Sequence, residues 1–134
     1  MVFFFDEMHQ QTTVLWESIM NLVKKVNNWP SWHLVKKGYR IRQKNYRYLK
    51  AEVDIIAQKG DTLAIVEVRS RSSEFFEHIA ETVTPKKMKL LVMAADHYVQ
   101  KEDLDVEVRF DIITVLKKQG KLTLTHLEDA FYHF

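Results

Sequence analysis

Two apolar, β-prone runs, Ala51–Ala57 and Thr62–Ser70, are separated only by Gln58-Lys59-Gly60-Asp61. A glycine beside an acidic residue between two such runs is hairpin turn chemistry, so the middle of the chain is expected to form two antiparallel strands. Each strand carries charge where an apolar residue belongs. In Leu63-Ala64-Ile65-Val66-Glu67-Val68-Arg69, the two-residue period puts Leu63, Ile65, Glu67 and Arg69 on one face. The partner strand carries Asp54 inside Val53-Asp54-Ile55-Ile56. Closing the hairpin brings Asp54 and Glu67 onto neighbouring strands. Their carboxyl groups are expected within roughly 6 Å of each other, near enough to share one hard cation.

The flanking sequence adds helices and further strands. Leu15, Ile19, Leu22, Val23 and Val26 fall at helical spacing and predict an amphipathic helix over about 12–27. Asn28 as a cap and Pro30 in the first turn predict a second, short helix, which Gly38 ends in a left-handed conformation. Tyr39–Tyr48 alternates as a strand. Thr84-Pro85 pairs a hydroxyl cap with proline at the first helical position. The buried stripe of the helix that follows is Met88, Leu91, Val92, Ala95, Tyr98 and Val99. Val106, Val108, Phe110 and Ile112 alternate as a strand, and Lys118-Gln119-Gly120-Lys121 turns into another over Leu122–Leu127. Helices mixed among strands, without repeats or linkers, predict one α/β domain over residues 1–134.

Composition narrows the chemistry. Zero cysteines in 134 residues exclude disulfides, zinc–cysteine sites and thiol nucleophiles. The six histidines, His9, His33, His78, His97, His126 and His133, show no zinc-helix spacing and read as structural or surface residues. Met1-Val2-Phe3-Phe4-Phe5 stops at Asp6-Glu7 and lacks the basic leader of a signal peptide. No apolar run approaches the roughly 18 residues of a membrane span. A cytoplasmic protein with no membrane partner is the expectation.

The formal net charge is only +2, but its distribution is uneven. Ser18–Ala51 holds nine basic and no acidic residues, which leaves 11 basic and 18 acidic residues elsewhere. Such asymmetry favours a polyanion on one side. Lys36, Lys37, Arg40, Arg42, Lys44 and Arg47 carry that charge, with Tyr39, Tyr46 and Tyr48 interleaved. Aromatics among basic groups can stack on bases, although Trp29 and Trp32 read as core. Lys86, Lys87 and Lys89 open the long helix, where free backbone N–H groups suit phosphate. Together with residues 36–50 they are expected to form one positive surface.

Buried carboxylates are costly unless paired or bound to a metal. Two carboxylates beside a cation suit a divalent ion holding a phosphate. A plain ion pair of Glu67 or Asp54 with Arg69 at a sheet edge accounts for the same residues, and spacing alone leaves both readings open.

Ala51-Glu52-Val53-Asp54-Ile55-Ile56-Ala57, then Gly60-Asp61-Thr62-Leu63, then Val66-Glu67-Val68-Arg69-Ser70-Arg71 resemble the YraN-like family of bacterial proteins. Gly38-Tyr39-Arg40-Ile41 with Asn45, Ala80 to Lys87, Val108-Arg109-Phe110-Asp111 and His126 to Phe131 continue the resemblance, which covers Gly38 to Phe131. It implies a restriction-endonuclease-like fold: a central mixed β-sheet flanked by α-helices, in the PD-(D/E)xK nuclease superfamily and similar to Holliday-junction resolvases. By that resemblance Asp54, Glu67 and the Val68 carbonyl hold Mg²⁺ or Mn²⁺, and Arg69 stands where the superfamily usually has lysine. Arg69 can stabilise charge but cannot act as a base, because guanidinium does not deprotonate in proteins. Arg71 joins Lys86, Lys87 and the 36–47 cations as candidate nucleic-acid contacts.

One departure stands out. The family's first helix usually carries a Gly-Glu pair, and the matching position here is Val26-Asn27, with Glu17 ten residues too early. The leading expectation is metal-dependent phosphodiester hydrolysis on DNA rather than RNA, with branched DNA among the substrates and a homodimer allowed. A catalytically inactive nucleic-acid-binding module of the same fold, and an assembly protein without a nucleic-acid role, are the alternatives.

Overall fold

The computed structural model describes residues 28–72 and 83–131. The expected helix over 12–27, with Glu17, Lys24 and Lys25, lies outside the described residues, as do Met1–Phe5, the Val26-Asn27 position and Ala80-Glu81-Thr82. The chain divides into two compact units, Met1–Pro30 and Ser31–Phe134, and the sheet belongs to the second.

Helix α1 includes residues 28–36; Asn28 is itself helical, not outside the helix as a cap would be. Gly38 follows at φ +95, the conformation expected of it. Five strands then form one sheet in the order β1-β2-β3-β4-β5: Arg40–Tyr48, Ala51–Lys59, Thr62–Ser72, Glu107–Lys118 and Lys121–Leu127. β1/β2, β2/β3 and β4/β5 are antiparallel. β3 and β4 are parallel, from Thr62↔Glu107 to Ser72↔Lys117. A parallel neighbour needs a crossover, and helix α2, Pro85–Lys101, lies in it. The arrangement is the α/β fold with a mixed sheet that the motifs imply, with a restriction-endonuclease-like core.

The central strands of the sheet are buried on both faces. Leu91, Ala94, Ala95 and Tyr98 of α2 join Val53, Ile56, Leu63, Ile65, Phe110 and Ile112 in one core. Leu34 of α1 and Tyr39 join Ile55, Ala57, Ala64, Val66 and Ile113 in the other. Burial on both faces explains why β2, β3 and β4 read as apolar runs, not as clean alternations. Trp32 corrects the expectation of a core tryptophan. It is 65% exposed, with Lys36 Nζ 5.3 Å from its ring centre. Helical phase explains it: Leu34 takes the sheet-facing position, and a residue two before it cannot share that face.

One irregularity positions the site. Period two would put Val53 and Ile55 on the same face, yet they belong to opposite cores. The β1 register locates the cause. Lys44 pairs with Ile55 and Tyr46 with Val53, so Asn45 stands opposite Asp54, and Asn45 has φ 52. A left-handed residue in mid-strand breaks the alternation and turns the chain; asparagine tolerates that conformation better than most side chains.

Candidate metal and phosphate site

The β2–β3 ladder ends at Ile55↔Val66, one step short of Asp54 and Glu67. Beyond it, the Asp54 side chain takes the place of the next backbone partner: the Val68 N–H donates to Asp54 Oδ2 at 2.7 Å. Asp54 is thereby oriented by β3 itself. Glu67 follows Leu63 and Ile65 on the α2 face, as the two-residue period predicts, and is 6% exposed.

A cation from the helix meets Glu67. Thr84 caps α2, accepting at Oγ1 from the Lys87 N–H at 3.2 Å. This fixes the first turn, and from it Lys87 Nζ reaches Glu67 Oε1 at 2.5 Å. Burial pushes the Asp54 carboxyl above its ordinary range. The Val68 N–H and the Lys87 charge oppose that shift, while Glu67 and Glu52 add to it. Asp54, Glu67 and Lys87 therefore form one electrostatic group, drawn from two strands and a helix.

Among the described residues no three His, Asp or Glu side chains gather into a ligand cluster. A hard divalent ion does not require one. Mg²⁺ commonly keeps several waters and takes one or two carboxylates plus substrate phosphate. An all-oxygen pair that already attracts an ammonium fits such an ion.

The other expected contacts divide. Arg40, Lys44, Arg71 and Lys86 are exposed, and Arg71 Nη1 donates to the Ser70 carbonyl at 3.0 Å. Arg47 lies 3.8 Å from Glu52 at the surface. Arg42 is turned to structural work: its Nε donates to Tyr98 Oη at 3.0 Å and its Nη1 to Gln58 Oε1 at 2.9 Å. It stands at the β1 register shift between Ile41 and Gln43, which takes it out of regular pairing. Lys37 reaches His126 Nδ1 at 3.2 Å and Glu128 at 3.6 Å.

The opposite face holds a network that joins the two family-like segments, residues 108–111 and 126–131, to which the sequence alone assigned no role. Asp111 is 1% exposed and accepts from Arg109, His126 and the Asp129 N–H. A carboxylate cannot donate, so His126 Nε2 carries the proton, at 2.8 Å. His126 Nδ1 then accepts from Lys37, with His33 Nε2 3.3 Å away. Burial is the leading cause that lowers the His33 pKa, and the Lys37 charge adds to it. Arg109 also donates to the Tyr39 hydroxyl. Single histidines 93 residues apart in sequence give no spacing signal; only α1 packing on the sheet brings His33 to His126.

No helix among the described residues is long and apolar enough to cross a membrane. The model of the uncharacterised protein family UPF0102 matches residues 28–115, a span that includes Asp54, Glu67 and Lys87. The UPF0102 protein FP2501 of Flavobacterium psychrophilum is 52% identical over 101 residues, 75% of this chain and 85% of that protein. A UPF0102 protein of Christiangramia forsetii is 48% identical over 102 residues, 76% of this chain and 86% of that protein. One from Parabacteroides distasonis is 44% identical over 100 residues, 75% and 83% respectively. The chain belongs to the UPF0102 family, the YraN-like family that its motifs resemble.

Proposed function

We propose that this protein binds DNA and hydrolyses its phosphodiester bonds with the help of Mg²⁺ or Mn²⁺. The observation that carries the reading is Asp54 and Glu67 at the point where β2 and β3 part, with the Lys87 ammonium against Glu67. A buried Glu67 beside an Asp54 held in place by a strand N–H is a poor way to stabilise a fold, and buried carboxylates that face a cation across a gap between elements are candidates for function.

Asp54 and Glu67, with the Val68 carbonyl, would hold the ion. When bound, the ion supplies neutralisation of negative charge at the scissile phosphate. The Val68 N–H keeps the Asp54 carboxylate aimed across the strand gap. Burial of Glu67 lowers the local dielectric, so charges brought to the site act more strongly. Lys87 supplies positive charge from the helix and Arg69 from the strand. In the hydrolysis, water oxygen forms a bond to phosphorus as one ester P–O bond breaks. One water proton goes to the leaving oxygen and the other to solvent. Exposed Arg40, Lys44, Arg71 and Lys86 are suited to backbone phosphates away from the reacting one.

Linear, forked and four-way-junction DNA, each incubated with Mg²⁺, Mn²⁺ or chelator, tests the reading. Metal-dependent cleavage that Glu67→Gln abolishes while DNA binding persists is the expected result. Absence of cleavage on every substrate, with binding intact, favours an inactive binding module. Arg69 at the usual lysine position is the observation that keeps this second reading in play, and Arg69→Lys then tests whether activity is restored.

A further inference from the structure

The Lys87–Glu67 contact has an asymmetry that bears on how a cation would enter. The Glu67 side chain is 7% exposed and the Lys87 side chain 43%. Glu67 is largely buried on a strand and has little freedom to turn. Lys87 stands in the first turn of α2 on a flexible four-carbon stem, one side already in solvent. If the pair opens, Lys87 is the member that moves.

We propose that Lys87 is an exchangeable counter-cation, which holds the cation place at Glu67 and passes to a substrate phosphate when a divalent ion takes that place. The inference rests on the function proposed above and adds a residue-level coupling to it. At 2.5 Å the ammonium contacts the Glu67 oxygen directly. A divalent ion on the same oxygen would repel it at close range. Without nucleic acid, the ion must therefore displace Lys87 into water, which weakens binding. With a phosphate at the site, the displaced ammonium gains an anionic partner. Metal and DNA then bind better together than separately, and the coupling is reciprocal by linkage. Asp54 belongs to the same balance, because the Lys87 charge acts on it too.

The geometry also bears on the roles of the two cations. Arg69 shares the strand face of Glu67 and is carried by the rigid sheet. Lys87 approaches from the helix as a compact point charge, the kind of group that can leave one anion for another without matching a planar fork.

Calorimetric titration of Mn²⁺ into the full chain tests this, with and without a 20-base-pair duplex, for the parent, Lys87→Met, Lys87→Gln and Glu67→Gln. Circular dichroism checks that each variant folds; two neutral replacements guard against one failing. Without DNA, Lys87→Met and Lys87→Gln should bind Mn²⁺ about tenfold more tightly than the parent, the scale of a modest coupling. The duplex should tighten Mn²⁺ binding more in the parent than in either Lys87 variant, and Glu67→Gln should lose the Mn²⁺ site. Equal Mn²⁺ affinity of parent and Lys87 variants, with binding still lost in Glu67→Gln, overturns the exchange and leaves the proposed function standing. No Mn²⁺ binding by any protein, with or without duplex, overturns both.

Discussion

Arg109 and Asp111 stand two residues apart on one face of β4 and grip each other through two parallel hydrogen bonds: Nε to Oδ1 and Nη2 to Oδ2, each 2.8 Å. The fork-to-fork geometry suits a buried guanidinium–carboxylate pair. The Asp111 bond is the main reason the Arg109 pKa is raised. Because Asp111 also holds His126 and the Asp129 N–H, one carboxylate ties β4 to the start of the C-terminal segment.

Removing that carboxylate should be expensive. Asp111→Ala leaves a part-buried guanidinium without its main partner, and breaking a buried pair typically costs about 3–5 kcal/mol. Urea unfolding of the parent and the variant measures it. A loss below about 1 kcal/mol would show that solvent reaches Arg109 freely.

The same residue sets the acid limb of stability. Burial alone would raise the Asp111 pKa, but hydrogen bonds from His126, Arg109 and the Asp129 N–H outweigh it and hold it below the usual range. A carboxyl with a depressed folded-state pKa contributes stability that is present above its unfolded value. That stability is lost as pH falls through the folded one. The melting temperature of the parent should therefore fall as pH drops below about 4. Asp111→Asn should be less stable at neutral pH and show a flatter acid limb between pH 4 and 2.

Asp54 carries the opposite sign. Its pKa is raised, with burial the leading cause. The folded state binds that proton more tightly than the unfolded chain, so stability falls as pH rises through the folded value. Asp54→Asn retains an oxygen to accept the Val68 N–H. It should melt higher than the parent at pH 7, with the gap closing below about pH 4. Equal melting at neutral pH would show that Asp54 is not held at a cost. A stabilised but metal-blind Asp54→Asn is what a functional carboxylate should give.

Asn45 can be tested by two substitutions that differ in one carbon. At φ 52, alanine meets the left-handed penalty of about 1–2 kcal/mol, and glycine does not. Asn45→Ala should be clearly destabilised relative to Asn45→Gly in urea unfolding. If the two are equal, the kink opposite Asp54 is not held by the local backbone.

Thr84 connects helix stability to the site. Thr84→Ala removes the acceptor for the Lys87 N–H and should cost about 1 kcal/mol, while Thr84→Asp should recover most of it. Chemical denaturation of the three proteins gives the comparison.

Much of this was legible in local pattern. The hairpin turned at Gly60-Asp61, Thr84-Pro85 opened its helix, and Gly38 followed its own, because each is a short-range backbone preference. The face of Glu67 followed from Leu63 and Ile65, since parity survives along an unbroken strand. Parity failed at Val53 and Ile55, where Asn45 on the neighbouring strand turns the chain, and period two has no term for a neighbour's backbone. Lys87 read as one of three basic residues at a helix start; its partner depends on how α2 docks, which is tertiary. Arg42 read as surface charge because a register shift leaves no mark in composition. Ala94 was absent from the expected stripe of α2 because a small side chain weakens the periodic signal, yet it is buried in the core.

The sheet order also carries a history. β1, β2 and β3 are sequence neighbours joined by tight turns, whereas β4 reaches β3 only across the long crossover that holds α2. Local hairpins close within microseconds, and non-local pairing waits on the entropy of a larger loop. Asp54 and Glu67 are thus brought together early, on a hairpin that has not yet received Lys87. On that order their mutual repulsion would oppose the growing sheet until the helix arrives, and docking of α2 would bring the Lys87 charge that offsets it. Divalent cations present during refolding could take up the same charge before the helix does, and would then speed the late step in the parent protein but not in Glu67→Gln.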